Sequence, residues 1–417
     1  MPRPRLPKRG EPRRKVPLPL KLVGGAIVLA AVFLVAAVLG GGNERGSVEG
    51  AAPRVGGEAF EPEPAPPPGE STEELGYPAF ATANTTRVGG GDAAANAAGA
   101  ALAVFPSTDD AQRPAAVTLV DEASPEAAIA AAVLMAAPVR APVLISGEDG
   151  TPAVSAEALA ALDPGGSGST GGASVFAVGE VPTPAGHATR RVEAEGAAAS
   201  AAAIAKLRDR LFDSPPRHVV VAPLADPAFA MPAAAWAARS GDPVLFTGRK
   251  KLPKATARAL RRHPKVPAYV LGPSSVISSD VLRRIGKIVP RVSRVAGEDP
   301  VANAIALARY EDGDFGWDVN DPGHGFVVVR DTQPLDAAGA APLSAAGTWG
   351  PLLLTDDAAT LPAALRGYLL DVKPGYTEDP TRAFYNHVWV IGDQEAIEVG
   401  QQAEIDSLAE LAKIGGD

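Results

Sequence analysis

One residue skeleton recurs three times in this 417-residue chain. At Arg87 it reads RVGGGDAAANAAGAAL and at Arg294 RVAGEDPVANAIALA, with Gly, Asp, Asn and Ala at the same offsets from the Arg. An eroded copy, RVEAEGAAASAAAIA, starts at Arg191, where Gly196 and Ser200 stand in for the Asp and the Asn. The copies lie 104 residues (87 to 191) and 103 residues (191 to 294) apart, and a near-constant period of this length marks a repeat architecture. The chain reads as three tandem units of about 100 residues, each large enough to bury a core.

Further landmarks follow each Arg-Val start in the same order. They are AVTLV, HVVVA and FVVVR at 116, 218 and 326, then APVLIS, DPVLFT and GPLLLT at 141, 242 and 350, then SVFAVGE, AYVLGP and VWVIGD at 174, 268 and 388. Short, β-branched and almost continuously apolar runs are strands buried on both faces. Ala-rich stretches of helical length separate them, such as PEAAIAAAVLMAA at 125–137 and MPAAAWAARS at 231–240. Strands alternating with helices predict βαβ crossovers and parallel sheets, hence an α/β fold.

Before the repeats the chain changes character. Residues 1–21 carry eight Lys or Arg against Glu11 alone, and 22–42 carry no charge. As a helix, 22–42 spans roughly 31 Å at about 1.5 Å per residue, the length of a transmembrane segment. The basic flank predicts a cytoplasmic tail, a signal anchor and an extracytoplasmic remainder; the Gly40–Gly42 run leaves cleavage as a signal peptide open. Absence of Cys excludes a lipid-modified cysteine, disulfides and thiolate metal sites. Residues 43–76, with EPEPAPPPGE at their centre, predict an extended acidic stalk. The expected organisation is therefore tail 1–21, span 22–42, stalk 43–76, and units 77–185, 186–288 and 289–417.

The folded part is acidic in sum but not everywhere. Between Arg249 and Arg294 there are thirteen Lys or Arg and one acid, Asp280. Within PKATARALRRH, Lys254, Arg258, Arg261 and Arg262 recur at helical spacing and fall on one face. That face is either a solvated surface or an anion site for envelope phosphates or carboxylates, with Arg as the bidentate donor. No Phe, Trp or Tyr interleaves the basic residues of PKATARALRRH, which speaks against nucleic acid.

Three tandem units, the first and third opening on Arg, an aliphatic residue, a small residue, Gly, any residue and Asp and the second on an eroded form, resemble the cell-wall-binding repeat type 2 family of Gram-positive bacteria. LDAAGAAPLSAA at 335–346, followed by PLLLT and VWVIGD, is similar to later parts of the family pattern. The resemblance covers roughly residues 84–412. It implies Rossmann-like or Toprim-like units packed three to a module, and non-catalytic attachment to a cell-wall polysaccharide or other anionic envelope polymer. Arg87, Arg191, Arg294, Asp92 and Asp299 match the motif. The second Arg and the Tyr that usually follow the Asp are absent here. An Arg-Asp pair at a strand end also stabilises a turn and caps a helix whatever the module binds. Richness in Ala, Gly and Pro points to an actinobacterial source.

No catalytic or cofactor constellation emerges. The five His lack metal-ligand spacing, no G-x-S-x-G elbow occurs, and Gly89–Gly91 does not complete a dinucleotide fingerprint. EDGDFGWDVNDPG at 311–323 lacks the Gly and Glu of a calcium loop and reads as a mobile acidic loop. The expectation is a non-enzymatic, membrane-anchored envelope-binding protein. The alternative is a membrane-tethered small-molecule sensor using crevices at strand C-termini.

Overall fold

The structure, a computed structural model, describes residues 80–347 and 349–414. The tail, the apolar segment 22–42 and the stalk lie outside the described residues. The longest described helix, Ala197–Leu211, has 15 residues, and none is long and apolar enough to cross a membrane. Crossing the hydrocarbon core takes about 20 residues. The expected single-pass membrane location is corrected accordingly: among the described residues the structure supplies no span for it.

Every apolar run picked out above forms a strand. Sheet one holds β3 (Val117–Asp121), β4 (Val143–Ser146) and β5 (Val175–Val178); sheet two holds β7 (Val219–Pro223), β8 (Val244–Thr247) and β9 (Ala268–Leu271). Sheet three holds β11 (Gly325–Arg330), β12 (Leu352–Thr355) and β14 (His387–Ile391). The Arg-Val motifs form strands too: β2 (Thr85–Val88), β6 (Thr189–Val192) and β10 (Val292–Val295). Short β1 (Phe80–Ala81) lies antiparallel on β2, and β13 (Gly375–Tyr376) pairs with β15 (Ala412–Lys413).

The strand orders are β4-β3-β5-β6, β8-β7-β9-β10 and β12-β11-β14-β2-β1, parallel throughout except for β1. Each Arg-Val strand thus completes the sheet of the copy before it. The first has no preceding copy and completes the last sheet, Val390 pairing with Arg87 and Ile391 with Val88. The sequence period and the sheets are out of phase by one strand, and the chain closes on itself.

The helices that follow the first strand of each sheet meet in the middle. Pro232–Ser240 packs on Ala341–Ala345 and on the 3₁₀ turn Ala132–Met135, while Pro334–Gly339 packs on Ala93–Val104 and Pro125–Ala131. Alanine makes this possible: Ala97, Ala98, Ala128, Ala131, Ala233 and Ala338 are wholly buried, and methyl-sized contacts let helix axes approach closely. At the tightest point a Cβ on Gly339 would meet Ala97 Cβ at 2.7 Å and its Cα at 2.8 Å. Gly339→Ala is therefore expected to destabilise by about 1–3 kcal/mol through overpacking. A denaturation midpoint equal to wild type would refute the close approach.

Sheet two has a second core on its outer face. Val219, Val221, Leu245 and Val270 pack there with Leu260, Ile277, Val281 and Ile285. Two helices cover it, Lys254–Arg262 and Ser279–Ile285.

Candidate functional site

The basic helix is fixed in place by ordinary forces. Thr256 Oγ1 donates to Phe246 O at 2.6 Å, tying its first turn to β8, while Ala259 and Leu260 face the core. Ser278 caps the neighbouring helix through Val281 N. Burial of the apolar sides leaves the cations outward. Between the two helices runs a groove of about 460 Å³ lined by Leu252, Ala257, Arg261, Arg284, Lys287 and Ile288.

The four residues expected to share a face do not act alike. Lys254, Arg258 and Arg261 are exposed, and Arg261 lines the groove. Arg262 turns the other way: its Nε lies 3.3 Å from Asp209 Oδ2, which His263 Nε2 also meets at 2.9 Å. Arg284 of the next helix and Lys287 in the turn after it take its place at the groove. Helical spacing alone does not reveal them, since it relates residues within one helix and not across two.

The motif arginines sit elsewhere, each beneath the loop that follows the third strand of a sheet. Arg87 is 3% exposed and donates to Gly392 O at 2.8 Å, Asp393 O at 2.6 Å, Ile397 O at 2.7 Å and Gln402 Oε1 at 3.0 Å. Burial lowers its pKa, with Asp393 opposing. Arg294 donates to Gly272 O and, at 2.7 Å, to Ile277 O. Arg191 is more open, donating to Val181 O at 2.8 Å and Thr183 Oγ1 at 2.7 Å. The loops they hold begin with Gly179, Gly272 and Gly392, all at positive φ (82°, 104° and 98°), a conformation glycine adopts without steric cost.

Asp92 and Asp299 are helix N-caps, accepting from Ala95 N at 2.8 Å and Ala302 N at 2.7 Å. The motif Asn residues are buried fasteners. Asn96 Oδ1 accepts from Gly90 N at 2.8 Å, and Asn303 bonds Gly297 N and Phe229 O, both at 3.2 Å. Beside Asn96, burial pushes the Asp336 carboxyl up to about 7, with Asp92 and Asp393 adding to the rise. Arg191 borders a separate crevice of about 380 Å³ at the C-terminal ends of β5 and β6, which includes Glu148, Glu180 and Glu193.

The segment 311–323 is a packed joint and not the mobile acidic loop the sequence predicts. Phe315 is buried and stacks on Tyr269 at 3.5 Å, with Trp236 edge-on at 4.9 Å, and Trp317 packs against Trp236 and Trp349. Two of its aspartates find partners beside sheet two: Asp314 meets Arg217 at 2.9 Å and His218 Nε2 at 3.0 Å, and Asp312 meets Arg291 at 2.5 Å. Among the described residues no cluster of three or more His, Cys, Asp or Glu is placed to hold a metal ion.

Parallel sheets around a helix core, with a cationic groove on an outer helix pair, define an α/β module whose surface offers recognition features. Residues 191–282 match the family model Cell wall binding domain 2 (CWB2). The resemblance drawn from the Arg-Val motifs is borne out over that stretch, which begins at Arg191, the start of the eroded copy, and contains the basic helix. Two solved structures are similar. Cwp6 from Clostridium difficile is 19% identical with a TM-score of 0.62, the match covering 79% of this chain and 48% of that one. Cwp8 from Clostridium difficile is 22% identical with a TM-score of 0.60, covering 79% of this chain and 52% of that one. This chain thus spans about half the length of either, and the likeness is one of fold. Both come from a clostridial source and lend no support to the actinobacterial source expected from composition. No curated protein matches the sequence.

Proposed function

We propose that this protein is a non-enzymatic cell-surface module of three tandem Rossmann-like or Toprim-like repeats that attaches to an anionic polymer of the cell wall. The observation that carries this reading is the CWB2 match over 191–282, because the same stretch holds the cation-rich helix. Lys254, Arg258 and Arg261 meet the polymer, with Arg262 at the margin through Asp209. The motif residues Arg87, Arg191, Arg294, Asp92 and Asp299 serve the same end by holding loops and helix starts in place. In this reading the units succeed one another in sequence as 77–185, 186–288 and 289–417, each borrowing its closing strand from a neighbour.

Exposed charges on both sides make the attachment ionic, so salt governs it. The Debye length falls from about 10 Å at 0.1 M to about 3 Å at 1 M. Full-length protein is expected to co-sediment with isolated cell walls at low ionic strength and to be released as salt rises. If it stays in the supernatant at every salt concentration, wall attachment is wrong.

A further inference from the structure

The groove between Lys254–Arg262 and Ser279–Ile285 has a counterpart within the same chain. Sheet three carries the helices Ala363–Asp371 and Val399–Ala409 after β12 and β14, as sheet two carries its pair after β8 and β9. The second helix of each pair enters alike, Glu398 N bonding Ala358 O at 2.8 Å and Ser278 N bonding Arg249 O at 2.9 Å. Counted from those entries, Glu404 stands where Arg284 stands. Over sheet three the gap is closed by an ion pair, Arg366 Nε to Glu404 Oε1 at 2.6 Å. Over sheet two the frame is the same but the carboxylate is replaced by a guanidinium, and Arg261 and Lys287 join it.

Three cations therefore line one small groove without a carboxylate among its lining residues. Nearby acids are engaged elsewhere, Asp280 with Arg283 and Asp209 with Arg262 and His263. Cations of one sign lining one groove present a positive potential that draws a counter-charge from outside. The floor is apolar, formed by Leu252, Ala257 and Ile288, so the visitor also brings a face that leaves water.

We propose that this groove is a binding site for a phosphate-rich chain, whose phosphates engage Arg261, Arg284 and Lys287 while the carbon skeleton between them lies on Leu252, Ala257 and Ile288. Arginine forks pair with either phosphate or carboxylate. Charge number decides between them: three cations lining one groove match closely spaced phosphates better than one carboxylate per sugar. The assignment rests on the wall-attachment reading for its biological ligand but is testable apart from it.

The test compares full-length wild type with the triple variant Arg261→Gln, Arg284→Gln, Lys287→Gln. A charge-matched control changes Lys250, Lys251 and Lys265, exposed residues outside the groove, to Gln. All six positions are exposed, so thermal unfolding of each protein should match wild type. The probes are inorganic polyphosphate and polygalacturonate, titrated at several salt concentrations, with wall co-sedimentation in parallel. The groove variant is expected to bind polyphosphate about 30- to 100-fold more weakly with a shallower salt dependence, and the control to lose less than about threefold. Wild type is expected to prefer polyphosphate to polygalacturonate. Equal losses in the two variants, or preference for the carboxylate polymer, would overturn the proposal. If wild type and groove variant sediment equally with walls, the groove is not the wall site although attachment stands. Polyphosphate binding without sedimentation would leave the groove and remove the wall.

Discussion

Arg87→Ala is expected to destabilise the protein by about 3–5 kcal/mol, because buried acceptors left without a donor cost on the order of 1–3 kcal/mol each and only part of that is recovered by relaxation. Four acceptors lose their donor at once: the carbonyls of Gly392, Asp393 and Ile397, and Gln402 Oε1. They lie in the loop after β14 and the helix beyond it, and Arg87 itself sits on β2, the strand by which the chain's beginning completes its last sheet. The change therefore loosens the closure of the whole module. Arg87→Lys should recover only part of the loss, since one ammonium cannot reach donors arranged for a fork. Arg191→Ala, at an exposed and more open position, should cost about 1 kcal/mol or less, with Arg294→Ala between the two. Denaturant midpoints of the three alanine variants supply the ranking. Equal destabilisation at Arg87 and Arg191 would refute the closure role.

That ranking marks the limit of what the sequence makes legible. Runs such as FVVVR and VWVIGD announce strands because both faces are buried, and the repeat announces how many such sets there are. Phase is not announced: a period of about 100 residues fits an Arg-Val strand that opens its own sheet as well as one that closes the previous sheet. Nor does the motif distinguish Arg87 from Arg191. Arg87 is covered because Ile397 and Gln402 belong to an outer helix region after β14, whereas no helix lies between β5 and β6 to cover Arg191.

The candidate groove was half legible for a similar reason. Lys254, Arg258 and Arg261 declare themselves by helical spacing. Arg284 and Lys287 join Arg261 only when two helices are laid side by side on sheet two, and Arg262 leaves because Asp209 on Ala197–Leu211 draws it away. The acidic segment 311–323 misleads most. Its composition is that of a solvated loop, and the partners that hold it, Arg217, His218, Tyr269 and Arg291, lie tens of residues upstream.

Asp242→Ala is expected to cost about 3–5 kcal/mol and to release that joint. Asp242 is 1% exposed and accepts from His218 N at 3.0 Å, Arg217 N at 3.2 Å, His218 Nδ1 at 2.9 Å and Trp236 Nε1 at 3.1 Å. His218 Nε2 meets Asp314, so both ring nitrogens face carboxylates, and when protonated the ring bridges sheet two and the segment from the third copy. Burial works against that charge, but the hydrogen bonds and attraction of Asp242 and Asp314 prevail, and the His218 pKa is raised above 6.5. A raised folded-state pKa gives stabilisation that is complete below about 6.5 and is lost as pH climbs through the folded value. Asp312 and Asp314 titrate in the opposite sense. Hydrogen bonds from Arg291 and Tyr269 lower Asp312; for Asp314 burial is outweighed by His218 and Arg217. Their contribution is present above about 3.8 and fades as pH falls through their lowered values. The joint should thus contribute most between about pH 4 and 7, seen as the part of the alkaline decline that Asp242→Ala removes and Asp314→Asn shifts to lower pH. Thermal unfolding followed by tryptophan fluorescence across that range measures both, because Trp236 and Trp317 pack within the joint. An alkaline limb unchanged in Asp242→Ala would show that His218 is not the titrating group.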